Sequence, residues 1–217
     1  MTGDIITIGQ AIDAGVQVTK ELREFLLTLV GPVGKEMGEV MADKVRFLRF
    51  KNSLRTFERA KQLLAEHEIE PHQVNIKILI PVLEGASLEE DDNLVEKWAG
   101  LLASASANEP FHPSFPQLLN ELSPLDAQIL DIAFDNAQKR GRDRSITVDD
   151  LVNSLGKSQT DIYLSTENLM RLRLMTPHMH YANPPEGEYQ NIWITKLGFE
   201  LLTACDGPKG IVPRTAG

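Results

Sequence analysis

Two stretches of this sequence hold residue types that could do metal chemistry: the acids Glu89, Glu90, Asp91 and Asp92, and the triplet His178-Met179-His180. Side chains alternate along a strand, so His178 and His180 would share a face, yet two imidazoles do not complete a four-coordinate zinc site. The acidic run lacks the alternating oxygen ligands and the turn glycine of a calcium loop. Neither a metal nor a cofactor is expected. For nucleophilic or acid–base chemistry the candidates are the single cysteine, Cys205, and His112 in FHPSF. Cys205 falls near the end of an apolar helix, where a free cysteine behaves as a small hydrophobe. His112 reads as a residue that orients backbone or caps a helix. No G-x-S-x-G elbow, Walker loop, H-E-x-x-H or G-x-G-x-x-G occurs, so no catalytic residue is assigned and the expectation is a protein that is not an enzyme.

Charge points to binding instead. The net charge of −9 argues against general attraction to phosphate, but its distribution is uneven. Residues 44–61 hold seven bases against one acid, whereas residues 62–110 hold two bases against ten acids. The two segments could pair within the fold. Lys44, Lys51, Arg55 and Arg59 also share one face of a predicted helix, which makes them the candidate nucleic-acid or partner-binding face. That face offers no aromatic platform on which bases could stack.

The elements that would position these groups are mostly helices. A helical pattern spans about Ile8 to Val30, and a second, long helix begins at Gly31-Pro32 and runs to about His67 with Val40, Phe47, Phe50, Leu54, Phe57 and Leu64 as its apolar stripe. Pro81 interrupts the apolar segment at 74–84, so a bend before a short helix is expected there. Ser87 followed by Glu90 fits a capping box and predicts a helix from Ser87 to about Ala107, with the acids answering the helix dipole. A brief helix is expected from Pro116. Ser123 with Asp126, Thr147 with Asp150 and Ser158 with Asp161 repeat the cap grammar and open helices at about 124–140, 148–155 and 159–172. Extended segments at 174–181 and 191–195 follow, and a last helix covers about 196–204.

The fold class is therefore mainly α: an amino-terminal helical portion, residues 1–121, then a winged-helix-like domain, residues 122–206, with a small two- or three-stranded β ribbon, then a mobile tail at 207–217. The winged-helix surface would be carried by Gln159, Tyr163, Glu167 and Arg171. Its second long helix carries Asp161 and Glu167 against Arg171 and Arg173, and its wing adds Glu186 and Glu188, so duplex DNA would meet like charge.

Hydrophobic residues at 42% and charged residues at 24% describe an ordinary globular chain. One cysteine fits a reducing compartment, and the early Asp4 and Asp13 are unlike a secretory signal. No apolar stretch approaches the roughly 20 residues that span a bilayer. A soluble cytoplasmic protein is expected. GPVGKEMG, with small residues at Gly31, Gly34 and Gly38, reads as close helix packing rather than membrane insertion, because Glu36 and Glu39 would be costly in lipid.

Six stretches together resemble the Abi-alpha family of bacterial proteins, named for abortive infection: DKVRFLRFKN at 43–52, ILIPVLEGASLEEDDNLVEKWAGLLASA at 78–105, HPSF at 112–115, LSPLDAQIL at 122–130, and the later ENLMRLRLM and LTACD. The resemblance implies a role in defence against phage, in which an infected cell stops growing or dies before progeny are released. It carries no catalytic residues across. The expected mode of action is non-enzymatic, sensing infection or blocking growth by binding another macromolecule; a protein partner is expected ahead of nucleic acid, a membrane is not expected, and self-association is also open. The rival readings are a DNA-binding winged-helix regulator and a membrane-acting toxin.

Overall fold

The computed structural model describes residues 24, 25, 28, 47–107, 109, 111–140, 145–177 and 191–208. The predicted first helix, the start of the second, the segment GPVGKEMG, the wing with its two histidines, and the tail from residue 209 lie outside them. The chain divides into two units, Met1–Leu119 with Ala204–Gly217, and Asn120–Thr203. The described residues are mainly helical, with one three-stranded antiparallel sheet.

In the first unit α1 (Phe47–Glu66), α2 (Ile76–Leu88) and α3 (Asp92–Ser106) pack on one another. α3 is covered on almost every side: Leu94, Val95, Trp98, Ala99, Gly100, Leu101, Leu102, Ala103 and Ser104 are all buried. A helix buried over so much of its circumference belongs inside a core, with Asp92 and Glu96 left at its solvent edge. Leu54, Phe57 and Leu64 of α1 and Leu79, Val82 and Leu83 of α2 supply the buried partner side chains. The Trp98 ring occupies the space beside Gly85, where a Cβ would stand 2.3 Å from its Cζ2.

The other side of α3 receives the returning end of the chain. Ser104 Oγ donates a hydrogen bond of 2.8 Å to the carbonyl of Ala204. A Cβ on Gly100 would lie 1.7 Å from the carbonyl oxygen of Cys205, so only a hydrogen fits between the two backbones.

Two local expectations are corrected here. Ser87 does not cap a helix: it is the penultimate residue of α2, buried, and its hydroxyl donates to the Glu84 carbonyl at 2.8 Å. The cap of α3 is Asp91, whose side chain accepts from the Leu94 N–H at 3.1 Å, while Glu89 Oε1 accepts from the N–H groups of Glu90 and Asp91, each at 3.0 Å. The acids do serve a helix start, four residues later than the capping-box spacing suggests. Packing decides the matter, since Gly85, Ala86 and Ser87 are buried and hold α2 helical beyond the earlier serine. Nor does Pro81 bend the chain out of helix; it lies inside α2. A proline in a helix interior costs about 3 kcal/mol, and the burial of Leu79, Val82 and Leu83 around it offsets that cost.

A short helix, α4 (Phe115–Asn120), leads to the second unit, which runs α5 (Pro124–Arg140), β1 (Ile146–Thr147), α6 (Val148–Leu155), α7 (Gln159–Arg171), β2 (Met175–Pro177), β3 (Asn191–Ile194) and α8 (Lys196–Cys205). The three predicted caps are all made. Ser123 and Asp126 bond reciprocally at 2.8 and 3.2 Å, Thr147 and Asp150 form a full capping box, and the Asp161 N–H donates to Ser158 Oγ at 3.1 Å.

The sheet order is β1-β3-β2, with Ile146 opposite Ile192 and Met175 opposite Ile194. The first of these strands is only two residues long and merges with the cap of α6, so it has no alternation that a sequence could display. Ala127, Leu130, Ile162, Leu169, Leu174, Ile192 and Leu201 are fully buried and form this unit's core.

α7 ends in a Schellman motif. Leu174 N–H bonds to the Leu169 carbonyl and Arg173 N–H to the Met170 carbonyl, both at 2.9 Å. The left-handed position falls on Arg173, at φ 60°, where glycine is the usual occupant. Arg173→Gly is therefore expected to raise stability by up to about 1 kcal/mol in urea unfolding. Gly100→Ala should do the reverse, lowering stability by about 1–3 kcal/mol or more as the backbone of Cys205 is pushed off α3. Retention of wild-type stability by that variant would show that the close approach is not rigid.

Candidate interaction surfaces

The basic residues predicted on one helix face divide in the structure. Lys44 lies outside the described residues, and of Lys51 only the helical backbone is described. Arg55 and Arg59 are turned onto the acidic segment. Arg55 Nη2 bonds to Asp92 Oδ1 at 2.5 Å; Arg59 Nε bonds to Glu96 Oε2 at 2.8 Å and its Nη1 to Glu66 Oε1 at 3.0 Å. The hydrogen bond to Glu96 is the chief reason that the Arg59 guanidinium holds its proton even more firmly than usual. The pairs with Asp92 and Glu96 tie α1 to α3 along the solvent edge of their apolar contact, while the pair with Glu66 lies within α1. Two of the four candidate cations are thus neutralised within the unit, which leaves less positive field for phosphate.

The other predicted surface follows the turns of α7. Ile162, Ser165, Thr166 and Leu169 are buried, so Gln159, Thr160, Asp161, Leu164, Glu167 and Arg171 remain exposed and Tyr163 is half-buried. Arg171 bends back toward the start of α5. Its Nη2 bonds to Glu121 Oε2 at 2.6 Å, and Nε and Nη2 bond to Asn168 Oδ1 at 3.1 and 2.8 Å. Asn168 Nδ2 in turn donates to Asp126 Oδ2 at 2.9 Å and to the Glu121 carbonyl at 3.2 Å.

Asp126, at 2% exposure, therefore joins two helices as well as capping its own. Its spacing from Ser123 made the cap legible, but Asn168 lies 42 residues away and no local pattern announces it. Leu164 is the other residue that sequence reasoning passed over. It sits off the apolar stripe of α7 and is 68% exposed.

Groups that could react have structural duties. His112 Nδ1 lies 2.7 Å from Ser114 Oγ and accepts from the Ser114 N–H at 3.3 Å, while its carbonyl receives the Phe115 N–H. This is a turn that starts α4. Cys205 is buried. Among the described residues no group of three or more His, Cys, Asp or Glu is placed to hold a metal ion, and no helix is long and apolar enough to cross a membrane.

A mainly helical chain with a three-stranded antiparallel sheet, ion-paired along one helix and acidic along another, defines the class structurally. The family model Abortive infection alpha matches residues 44–205, and the chain belongs to that family. No curated protein and no solved structure matches it. The match runs from the basic segment to Cys205 and so takes in every described element from α1 to α8.

The ion pairs are solvent-accessible, so their contribution is small and screened by salt. Arg59→Ala is expected to cost about 0.5–1 kcal/mol at low ionic strength and less in concentrated salt, with Arg55→Ala costing less still because Asp92 is 87% exposed. Urea unfolding at two salt concentrations measures both.

Proposed function

We propose that the chain is a non-enzymatic component of abortive infection that acts by binding another macromolecule, most directly a protein, in the bacterial cytoplasm. Membership of the Abortive infection alpha family, over residues 44–205, is the observation that carries the biological part of this reading. For the absence of turnover, the support comes from what the reactive side chains are engaged in. Cys205 is buried in packing, the His112 ring holds a turn, and Asp126 Oδ2 accepts both a cap bond and a helix-to-helix bond. The single cysteine suits a reducing compartment.

The order of elements in the second unit, a helix, a short strand, two helices and a strand pair, with sheet order β1-β3-β2, favours reading it as a winged helix. That topology keeps a second reading in view, a DNA-binding regulator in which α7 would enter the major groove. The charge of α7 speaks against it. Asp161 stands in the first turn, Glu167 follows on the outer side, and Arg171 is held by Glu121. Duplex DNA binding needs cations that can replace condensed counterions.

Purified protein is expected to leave nucleotides, RNA and DNA intact and to give no shift of duplex DNA even at low ionic strength, while the gene protects a phage-challenged culture. An activity on nucleotides or nucleic acid that disappears together with protection in one point variant would overturn the non-enzymatic reading. A salt-sensitive DNA shift removed by substitutions on α7 would establish the regulator instead.

A further inference from the structure

We infer that the outer side of α7 is a docking surface for a protein segment that presents an apolar side chain flanked by lysines or arginines. The inference rests on the binding reading above and gives it a partner chemistry. Thr160, Leu164, Glu167 and Arg171 recur at intervals of four, three and four residues, so they form one stripe opposite the buried side of the helix. Leu164 stands in the middle of that stripe at 68% exposure, above Leu88 at 58% and Ile76 at 41%.

A single exposed leucine is ordinary on a protein surface; its setting is what gives this one a direction. Asp161 and Glu167 stand on either side of it along the helix, and among the described residues no cation pairs with either carboxylate. The base on the stripe, Arg171, stays exposed but is neutralised by its ion pair with Glu121 and is hydrogen-bonded to Asn168. The charges beside Leu164 that keep no ion-pair partner are both negative, and the complement of negative, apolar, negative is apolar between positive charges.

The helix is also fixed before any partner arrives. Ser158 caps its start and the Schellman motif closes its end, so docking costs little further ordering. Two other occupants fit poorly. Nucleic acid would bring phosphate to carboxylates, and a second copy meeting this stripe through a two-fold axis would oppose acid to acid.

The probes are two synthetic amphipathic peptides of equal length and identical leucine stripe, one with lysines flanking the leucines and the other with glutamates. Each is titrated against the full chain by fluorescence anisotropy. The lysine peptide is expected to bind and the glutamate peptide not. Leu164→Ala should weaken the lysine peptide by about tenfold. Glu167→Lys should weaken it too and improve the glutamate peptide, a reversal that mere loss of structure does not produce.

Equal binding of the two peptides, binding of neither, or an unchanged affinity for the lysine peptide in Leu164→Ala with native circular dichroism overturns the inference. A dimer that sediments as such and dissociates on Leu164→Glu overturns it in favour of a second copy. If neither peptide binds while Leu164→Ala still abolishes phage protection, the partner chemistry falls and the wider binding reading stands. Catalytic activity in the purified protein would overturn that wider reading without touching the peptide result.

Discussion

The constraint on which the first unit depends is the crowding around α3. Helices rarely bury nearly their whole circumference, because each extra covered side demands another partner at close range. Here the demand is met asymmetrically. Trp98 presents a large ring to α2, with Gly85 making room for it, while Gly100, Ala103 and Ser104 present almost nothing and let the returning backbone come in to contact. Large against small on one side and small against backbone on the other gives a close-packed interior without forcing any single helix to be uniformly apolar. The ion pairs of Arg55 and Arg59 then run along the edge of this arrangement, where they orient α1 rather than hold it.

How much of this the sequence discloses depends on the range of the interaction concerned. Caps are local, and Ser123 with Asp126, Thr147 with Asp150 and Ser158 with Asp161 mark their helices within one turn. The Ser87 spacing obeys the same local rule and misleads, since a serine followed three positions on by glutamate also fits the end of a helix whose last turn happens to be buried. Nothing in the residues from Ser87 to Asp92 distinguishes the two cases; only the packing of Ala86 and Ser87 does. The uneven charge of residues 44–110 announced that pairing within the fold was available, and Arg55 and Arg59 take it. The bond from Asn168 to Asp126 and the pairing of Arg171 with Glu121 could not be anticipated, because both depend on α7 crossing the start of α5. Leu164 was legible in principle: once the stripe of Ile162 and Leu169 is drawn, a leucine two places from it has to face outward.

In the second unit the direction of α7 and most of its outward surface are set by different residues. The capped helices, the left-handed residues Gly156 and Arg173 at the two turns, and the three short strands fix the direction of α7 firmly. None of those devices specifies what α7 carries outward. Leu164 and Glu167 serve none of them; Asp161 is the exception, since it also shares the cap of Ser158, and Arg171 is paired with Glu121.

The bond from Ser104 to the carbonyl of Ala204 joins residues 100 apart. A core closed by such a distant segment stays incomplete until residue 204 has been made, however early its three helices emerge. Until Ala204 and Cys205 leave the ribosome, the small-residue side of α3 stays open to water or to chaperones. A product terminated upstream of Ala204 would keep that gap, with Gly100 and Ser104 left facing water instead of the backbone of Ala204 and Cys205.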